Sequence, residues 1–260
     1  MDLGLSDKYA LITGGSHGIG RGVALALAEE GCNVAICARN KERVDETVEE
    51  IRSKNVKSIG ISADVLVPED IDSVMKSVID SWGTSNILIN NVGGGGRWGS
   101  AIFEETSEQV WTEVYNKNAL AAIRFTMRAI PFMRRQKWGR VVAITSLYGK
   151  EGGGRPWFNL AKCAETALMK NLALNHDLTR DGITFNSIAP GSIMIPDTGW
   201  ADEQEKDPDK FKTMAEQKFP LGRLGTPEEV ASIVVFVCSM QSSLLNGASI
   251  CVDGGESRCF

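Results

Sequence analysis

Histidine and tyrosine are scarce here: 260 residues hold two of the first, His17 and His176, and three of the second. Two histidines so far apart make a His-based metal site or Ser-His-Asp hydrolysis unexpected, and no metal ligand set is expected. The six cysteines (32, 37, 163, 238, 251, 259) contain no C-x-x-C pair and no metal-ligand spacing. They read as reduced thiols packed as small apolar groups, in a cytoplasmic protein. Long hydrophobic runs are missing too. Ile233–Cys238 falls far short of the roughly 18 residues that span a membrane, and Met1–Lys8 lacks the pattern of a secretory signal. Basic excess is absent: 28 Lys+Arg against 33 Asp+Glu leaves −5, which argues against a nucleic-acid partner.

What is present is alternation. Short apolar, β-branched runs at Tyr9–Thr13, Asn33–Ala38, Ser58–Ile61, Ile87–Asn91, Arg140–Ser146, Thr184–Ile188 and Ser249–Val252 predict seven strands. Helical patterns fall near 18–30, 41–53, 69–81, 107–135, 157–179 and 227–239. Thr226-Pro227-Glu228-Glu229 marks a helix start, with an N-cap, a proline at the first position and acids at the positive dipole end. Several strands are apolar throughout, as in parallel strands covered on both faces. The expectation is an α/β fold: one domain over 1–260 built on a doubly wound parallel sheet. Ligands of such sheets sit at the carboxyl ends of the strands, where the strand order reverses.

The first strand runs into Thr13-Gly14-Gly15-Ser16-His17-Gly18-Ile19-Gly20, and a helix follows directly. Glycines there allow a tight turn and close approach of a pyrophosphate to free N–H groups. A plain tight turn would use glycine as well. The position between first strand and first helix favours nucleotide binding.

This turn, Asp64-Val65, Asn90-Asn91-Val92-Gly93, Asn118, Ser146, Lys162, Pro190-Gly191 and Asp253-Gly254-Gly255 occur in the order of the short-chain dehydrogenase/reductase family. The chain resembles that family over essentially its whole length, and 3-oxoacyl-acyl-carrier-protein reductase-like ketoreductases within it. The resemblance implies a Rossmann-type seven-stranded sheet with helices on both faces. It also implies that Gly14, Ser16, His17, Gly18, Ile19 and Gly20 cradle the cofactor's phosphates. Asp64 and Val65 would flank its adenine, Asn91 and Gly93 would pass beside it, and Pro190, Gly191 and Ile193 would support the nicotinamide.

The second strand ends Cys37-Ala38-Arg39-Asn40, without the acid that NAD-using relatives place near there. Arg39 can instead pair with a 2′-phosphate, so NADP(H) is expected over NAD(H). A solvated surface arginine is the plainer reading.

Reducing a ketone requires a hydride for carbon and a proton for an oxygen that becomes alkoxide-like. The family supplies the polar groups with Asn, Ser, Tyr and Lys, the last two as Y-x-x-x-K on one helical face. Asn118, Ser146 and Lys162 match. The tyrosine position holds Phe158, and Tyr9, Tyr115 and Tyr148 all lie elsewhere. Two accounts compete: a Tyr→Phe substitution in an active enzyme, of the kind used to trap bound substrate, and a natural protein whose chemistry is lost or rerouted. The retention of Asn118, Ser146 and Lys162 favours the first. A non-catalytic nucleotide-binding protein and an isomerase or dehydratase on the same fold stay open.

Three segments should ring the nicotinamide: 93–100, 147–157 and a lid at about 193–220, in which a charged run (202–207) precedes a short helix. Trp98, Trp157 and Trp200 would give an aromatic wall, with Tyr148 at the mouth. Arg97 and Arg155 suit a carboxylate or phosphate on the substrate, although solvent or a subunit contact is the plainer reading. The substrate is a small carbonyl or alcohol compound of unspecified identity. The resemblance further implies a homotetramer, or a homodimer, packed through the helices near 107–135 and 157–179.

Overall fold

The computed structural model describes residues 1–100 and 102–259; Ala101 and Phe260 lie outside it. Seven strands, β1 (Tyr9–Thr13), β2 (Asn33–Ala38), β3 (Ser58–Ser62), β4 (Ile87–Asn90), β5 (Gly139–Ile144), β6 (Ile183–Pro190) and β7 (Ser249–Val252), form one sheet. All pairings are parallel, in the order β3-β2-β1-β4-β5-β6-β7. The order reverses between β1 and β4. There the connections leave on opposite faces and open a crevice at the carboxyl ends.

Period-2 side chains explain the layering. Ala10 and Ile12 of β1 and Ile87 and Ile89 of β4 enter one core with α1 (Gly18–Glu29), α2 (Lys41–Arg52) and α10 (Pro227–Cys238). Leu11 and Leu88 enter the other, with α3 (Pro68–Trp82), α5 (Ala121–Gln136) and α6 (Pro156–Ala173). Apolar side chains thus point both ways from the same strands, which is why the sequence shows continuous apolar runs.

Three expected elements differ. The long helix near 107–135 is α4 (Glu108–Tyr115), a π-helical turn (Asn116–Leu120) and α5. The helix expected to reach 179 ends at Ala173, because the Asn175 side chain accepts the N–H groups of Asp177 and Leu178 and starts α7 (His176–Arg180). The charged run in the lid is itself helical, α8 (Gly199–Lys206), and α9 (Pro208–Lys218) follows on a proline and the Asp207 cap. Among the described residues no helix is long and apolar enough to cross a membrane.

Candidate active site

A cleft of about 600 Å³ opens at the carboxyl ends of β1 and β4, within the range of small-molecule sites. Gly14, Ser16, His17, Gly18 and Ile19 form one side of it. His17 precedes α1 in an extended conformation, its side chain caps no N–H group, and no acid stands in the first turn. The helix start therefore offers free N–H groups and a positive dipole end to an anion. Gly20 faces inward, where any Cβ would collide with the Gly14 carbonyl.

Asn91 ties β4 to this turn. Its Nδ2 donates to the carbonyls of Thr13 (2.9 Å) and Gly14 (3.2 Å), while Thr13 Oγ1 accepts the N–H groups of Asn91 and Val92. The cleft floor is thereby fixed before any ligand enters. Beyond it, a Cβ on Gly93 would lie 2.7 Å from Asn118 Oδ1 and 2.8 Å from Lys162 Nζ. Only a bare backbone passes there.

Arg39, Asp64 and Val65 line the far end, joined by Asn40, Arg43 and Leu66. Arg39 is exposed and has no ion-pair partner among the described residues, whereas Arg43 pairs with Asp197 at 2.8 Å. Asp64 is committed locally, with its Oδ1 accepting the Leu66 N–H. The phosphate, ribose and adenine portions of a dinucleotide would meet glycine N–H groups, a guanidinium unpaired among the described residues and an apolar Val65–Leu66 wall. These residues fit a nicotinamide dinucleotide.

Lys162 and Phe158 line the opposite end. Both are on α6, one turn apart, and the ammonium is 5.8 Å from the ring centre. Lys162 is buried; its Nζ donates to the Ile144 carbonyl (3.0 Å) and lies 2.8 Å from Glu165 Oε2. Asn118 sits within the π-helical turn, behind the 93–94 backbone. Its Oδ1 accepts the Gly94 N–H and its Nδ2 donates to the carbonyls of Gly94 and Val114. Extra residues of this kind inside helices often mark functional positions. Ser146 lies two residues past the end of β5 and its Oγ accepts the Tyr148 N–H at 3.2 Å. Asn118 and Ser146 lie outside the cleft lining, which Thr145 and Ile144 complete.

Several expected placements are corrected. Trp157 is 1% exposed and belongs to a core cluster with Val114 and Ala161, its Nε1 donating to the Gly95 carbonyl. A large apolar indole gains more beneath the loop than beside it. Trp200 packs against Phe211 and Phe219 inside the lid segment itself, which leaves Trp98 alone of the three on the cleft wall. Arg97 bonds Glu203 of α8 and covers the Trp200 ring, and Arg155 donates to the Ser100 carbonyl; both guanidinium groups are spent within the chain. Tyr148 lies against Gly153 and Gly154 outside the cleft, and burial, then Glu256 and Glu151, raise its phenol above the ordinary value. Pro190 and Gly191 stand off the cleft, Gly191 packing on Asp253 and Glu256; Ile193 lines a neighbouring cavity of about 110 Å³.

Lys117 is a cleft residue that no sequence motif marks. It lines the cleft with its ammonium 4.8 Å from the Trp98 ring centre. Partial burial, then Arg39, lowers its affinity for a proton. Its place next to Asn118 was the available signal, but helical spacing alone directs 117 and 118 to different faces. Both lie in the π-helical turn, from which Lys117 lines the cleft while Asn118 bonds the Gly94 backbone behind it.

Similarity to known proteins agrees with this geometry. A family model described as enoyl-(acyl carrier protein) reductase matches residues 14–257. The 3-oxoacyl-(acyl-carrier-protein) reductase FabG of Staphylococcus aureus is 34% identical over 250 residues, covering 95% of this chain and 97% of that one. Its Aquifex aeolicus counterpart is 34% identical over 257 residues, covering 98% and 99%. Among solved structures, L-sorbose reductase from Gluconobacter frateurii complexed with NADPH and L-sorbose superposes with a TM-score of 0.91 at 30% identity, covering both chains fully. The chain belongs to the short-chain dehydrogenase/reductase family and is an oxidoreductase of the ketoreductase-like type.

Proposed function

We propose that this protein is an NADP(H)-dependent reductase that interconverts a ketone and a secondary alcohol, working at a strongly reduced rate because Phe158 stands where the proton donor belongs. One observation carries the reading. The glycine turn, an Arg39 unpaired among the described residues and the buried Lys162 open onto a single cleft, with the Phe158 ring at its other end. When bound, the nicotinamide supplies hydride. The chain's own residues orient and polarise: Lys162 brings a positive charge, Asn118 holds the 93–94 backbone that passes it, and Ser146 is a hydroxyl at the strand end. None of these replaces a phenol at 158, and losing a general acid costs about 10²–10⁴ in rate.

Two of the similar proteins support the cofactor and substrate class. L-sorbose reductase holds NADPH with L-sorbose, and an actinorhodin polyketide ketoreductase variant holds NADPH at a TM-score of 0.88 and 28% identity. The test measures NADPH and NADH dissociation constants by fluorescence, then NADPH oxidation over ketoses and 3-oxoacyl thioesters before and after Phe158→Tyr. Tighter NADPH and a turnover gained with tyrosine support the reading. Tighter NADH, or no turnover on any ketone in the tyrosine variant, overturns it. The same silence with intact NADPH binding favours the second reading, a nucleotide-binding protein without catalysis, which Phe158 itself motivates.

Assembly as a homotetramer in the cytoplasm belongs to the proposal. Met127 of α5 and Leu160 of α6 are large apolar side chains left more than half exposed, on the two helices through which the subunits would pair. Light scattering tests this, and a strict monomer refutes it.

A further inference from the structure

Glu165 has no role in the site as described, yet no described residue is more fully enclosed. It is 0% exposed, on the inner face of α6; Oε2 forms an ion pair with Lys162 Nζ at 2.8 Å, and neither carboxyl oxygen has a well-directed hydrogen-bond partner among the described residues. Apolar packing of α6 alone would place a hydrocarbon there, since an enclosed carboxyl is costly unless it is fully bonded. Lys162 is the one group in this pair that reaches the cleft. Its ammonium has two anchors behind the site, the Ile144 carbonyl and Glu165.

We propose that Glu165 is a positioning residue that sets the net charge Lys162 presents to the cofactor cleft, and so makes cofactor affinity depend on pH. The proposal rests on the reading that the cleft binds a nicotinamide dinucleotide. With Glu165 ionised, the pair is neutral and the ammonium is held back against Ile144. With Glu165 protonated, Lys162 faces the cleft with an uncompensated positive charge. An anionic dinucleotide then binds more tightly, and binding is linked to proton uptake.

Burial pushes the Glu165 carboxyl above its usual range, and the Lys162 charge opposes that shift. Lys162 is the one charge among the described residues that acts on Glu165. Of the elements around α6, β6 carries no ionisable side chain, and the Arg140 guanidinium of β5 is spent on the Ser239 carbonyl. Helix α4 carries Glu108, Glu113 and Tyr115 and α7 carries His176, Asp177 and Arg180, none of which acts on Glu165. The turn at 147–149 contributes Tyr148, whose own charged neighbours are Glu256 and Glu151. Lys117, from the π-helical turn, feels Lys162 and adds a second positive charge to the cleft. Another ionisable ring, His17, lines the same cleft.

The experiment follows NADPH dissociation constants by fluorescence from pH 6 to 9 at fixed ionic strength. It compares Glu165→Gln with its parent, both in a His17→Asn background so that the second ring is absent. The cofactor's own titration is common to the two proteins and cancels in their ratio. The parent should weaken about tenfold more than the variant across the range, a typical coupling between linked sites. The glutamine variant should hold the parent's low-pH affinity throughout. Superimposable profiles overturn the proposal, as does a variant that binds uniformly more weakly, which is the signature of a merely structural role. Should Glu165→Gln fail to fold, calorimetry of the His17→Asn parent in two buffers of different ionisation enthalpy decides the matter at pH 8. Net proton uptake beyond that expected of the cofactor supports the proposal, and none overturns it. If no protein binds NADPH at any pH, the cofactor reading falls first, and this one with it.

Discussion

The Lys162 ammonium lies 5.8 Å from the centre of the Phe158 ring, one helical turn away on the same face of α6. That geometry makes a phenol at 158 useful only while the lysine is present, because a nearby positive charge favours the phenolate and lowers the phenol's pKa. Phe158→Tyr should raise ketone turnover about 10²–10⁴-fold and leave the NADPH dissociation constant nearly unchanged. The same substitution in a Lys162→Met background should gain far less. Rates for the four proteins form a double-mutant cycle, and equal gains in both backgrounds would contradict the coupling.

Cofactor choice rests on a different residue. Arg39 is exposed and unpaired among the described residues, at the end of β2 where no acid stands. Arg39→Ala removes a charge-assisted contact to a 2′-phosphate, worth about 1.5–3 kcal/mol. NADPH should then bind about ten- to a hundredfold more weakly while NADH barely changes. Parallel weakening of both cofactors would show instead that Arg39 supports the cleft in general.

The sheet was legible because two residue habits coincide: β-branched apolar runs form the strands, and capped amphipathic runs lie between them. Some of the motif positions do come together, as Gly93, Asn118 and Lys162 meet at one backbone crossing. The aromatic residues were not. A tryptophan beside a glycine-rich loop reads the same whether it lines a cleft, as Trp98 does, or fills the core, as Trp157 does. Spacing carries no record of the long-range contacts that decide it. The π-helical turn was equally hidden, since one extra residue in a helical turn leaves little trace in an apolar pattern. Nothing in the sequence around Glu165 marks it as enclosed, and only the packing of α6 reveals it.

Trp157 offers a direct measure of that core. It is buried against Val114 and Ala161, with an edge contact to Trp111 and a hydrogen bond to the Gly95 carbonyl. Trp157→Ala should cost about 3–5 kcal/mol in chemical denaturation, as large-to-small core changes do. Trp98→Ala, at a half-exposed wall position, should cost much less and act on ligand affinity instead. Comparable losses of stability at the two positions would refute the assignment of Trp157 to the core and Trp98 to the cleft.

Acid should expose the contribution of one ion pair at the start of α10. Thr226 and Glu229 form a capping box, and Arg223 holds the Glu229 carboxylate through both oxygens. These contacts, the guanidinium first, lower the Glu229 pKa from 4.5 to about 2. A carboxyl that is more acidic when folded stabilises the fold above its unfolded pKa, and that contribution fades as pH falls through the folded one. Glu229→Gln keeps the capping-box geometry and removes the charge. The melting temperature of the variant should therefore lie below that of the parent by a constant gap above about pH 5, and the gap should close toward pH 2. Asp72 and Asp181, also held acidic by neighbouring basic side chains, contribute to the acid slope of both proteins equally. A gap that stays constant from pH 7 to pH 2 would assign the effect of the substitution to packing or capping and not to the Arg223–Glu229 charge pair.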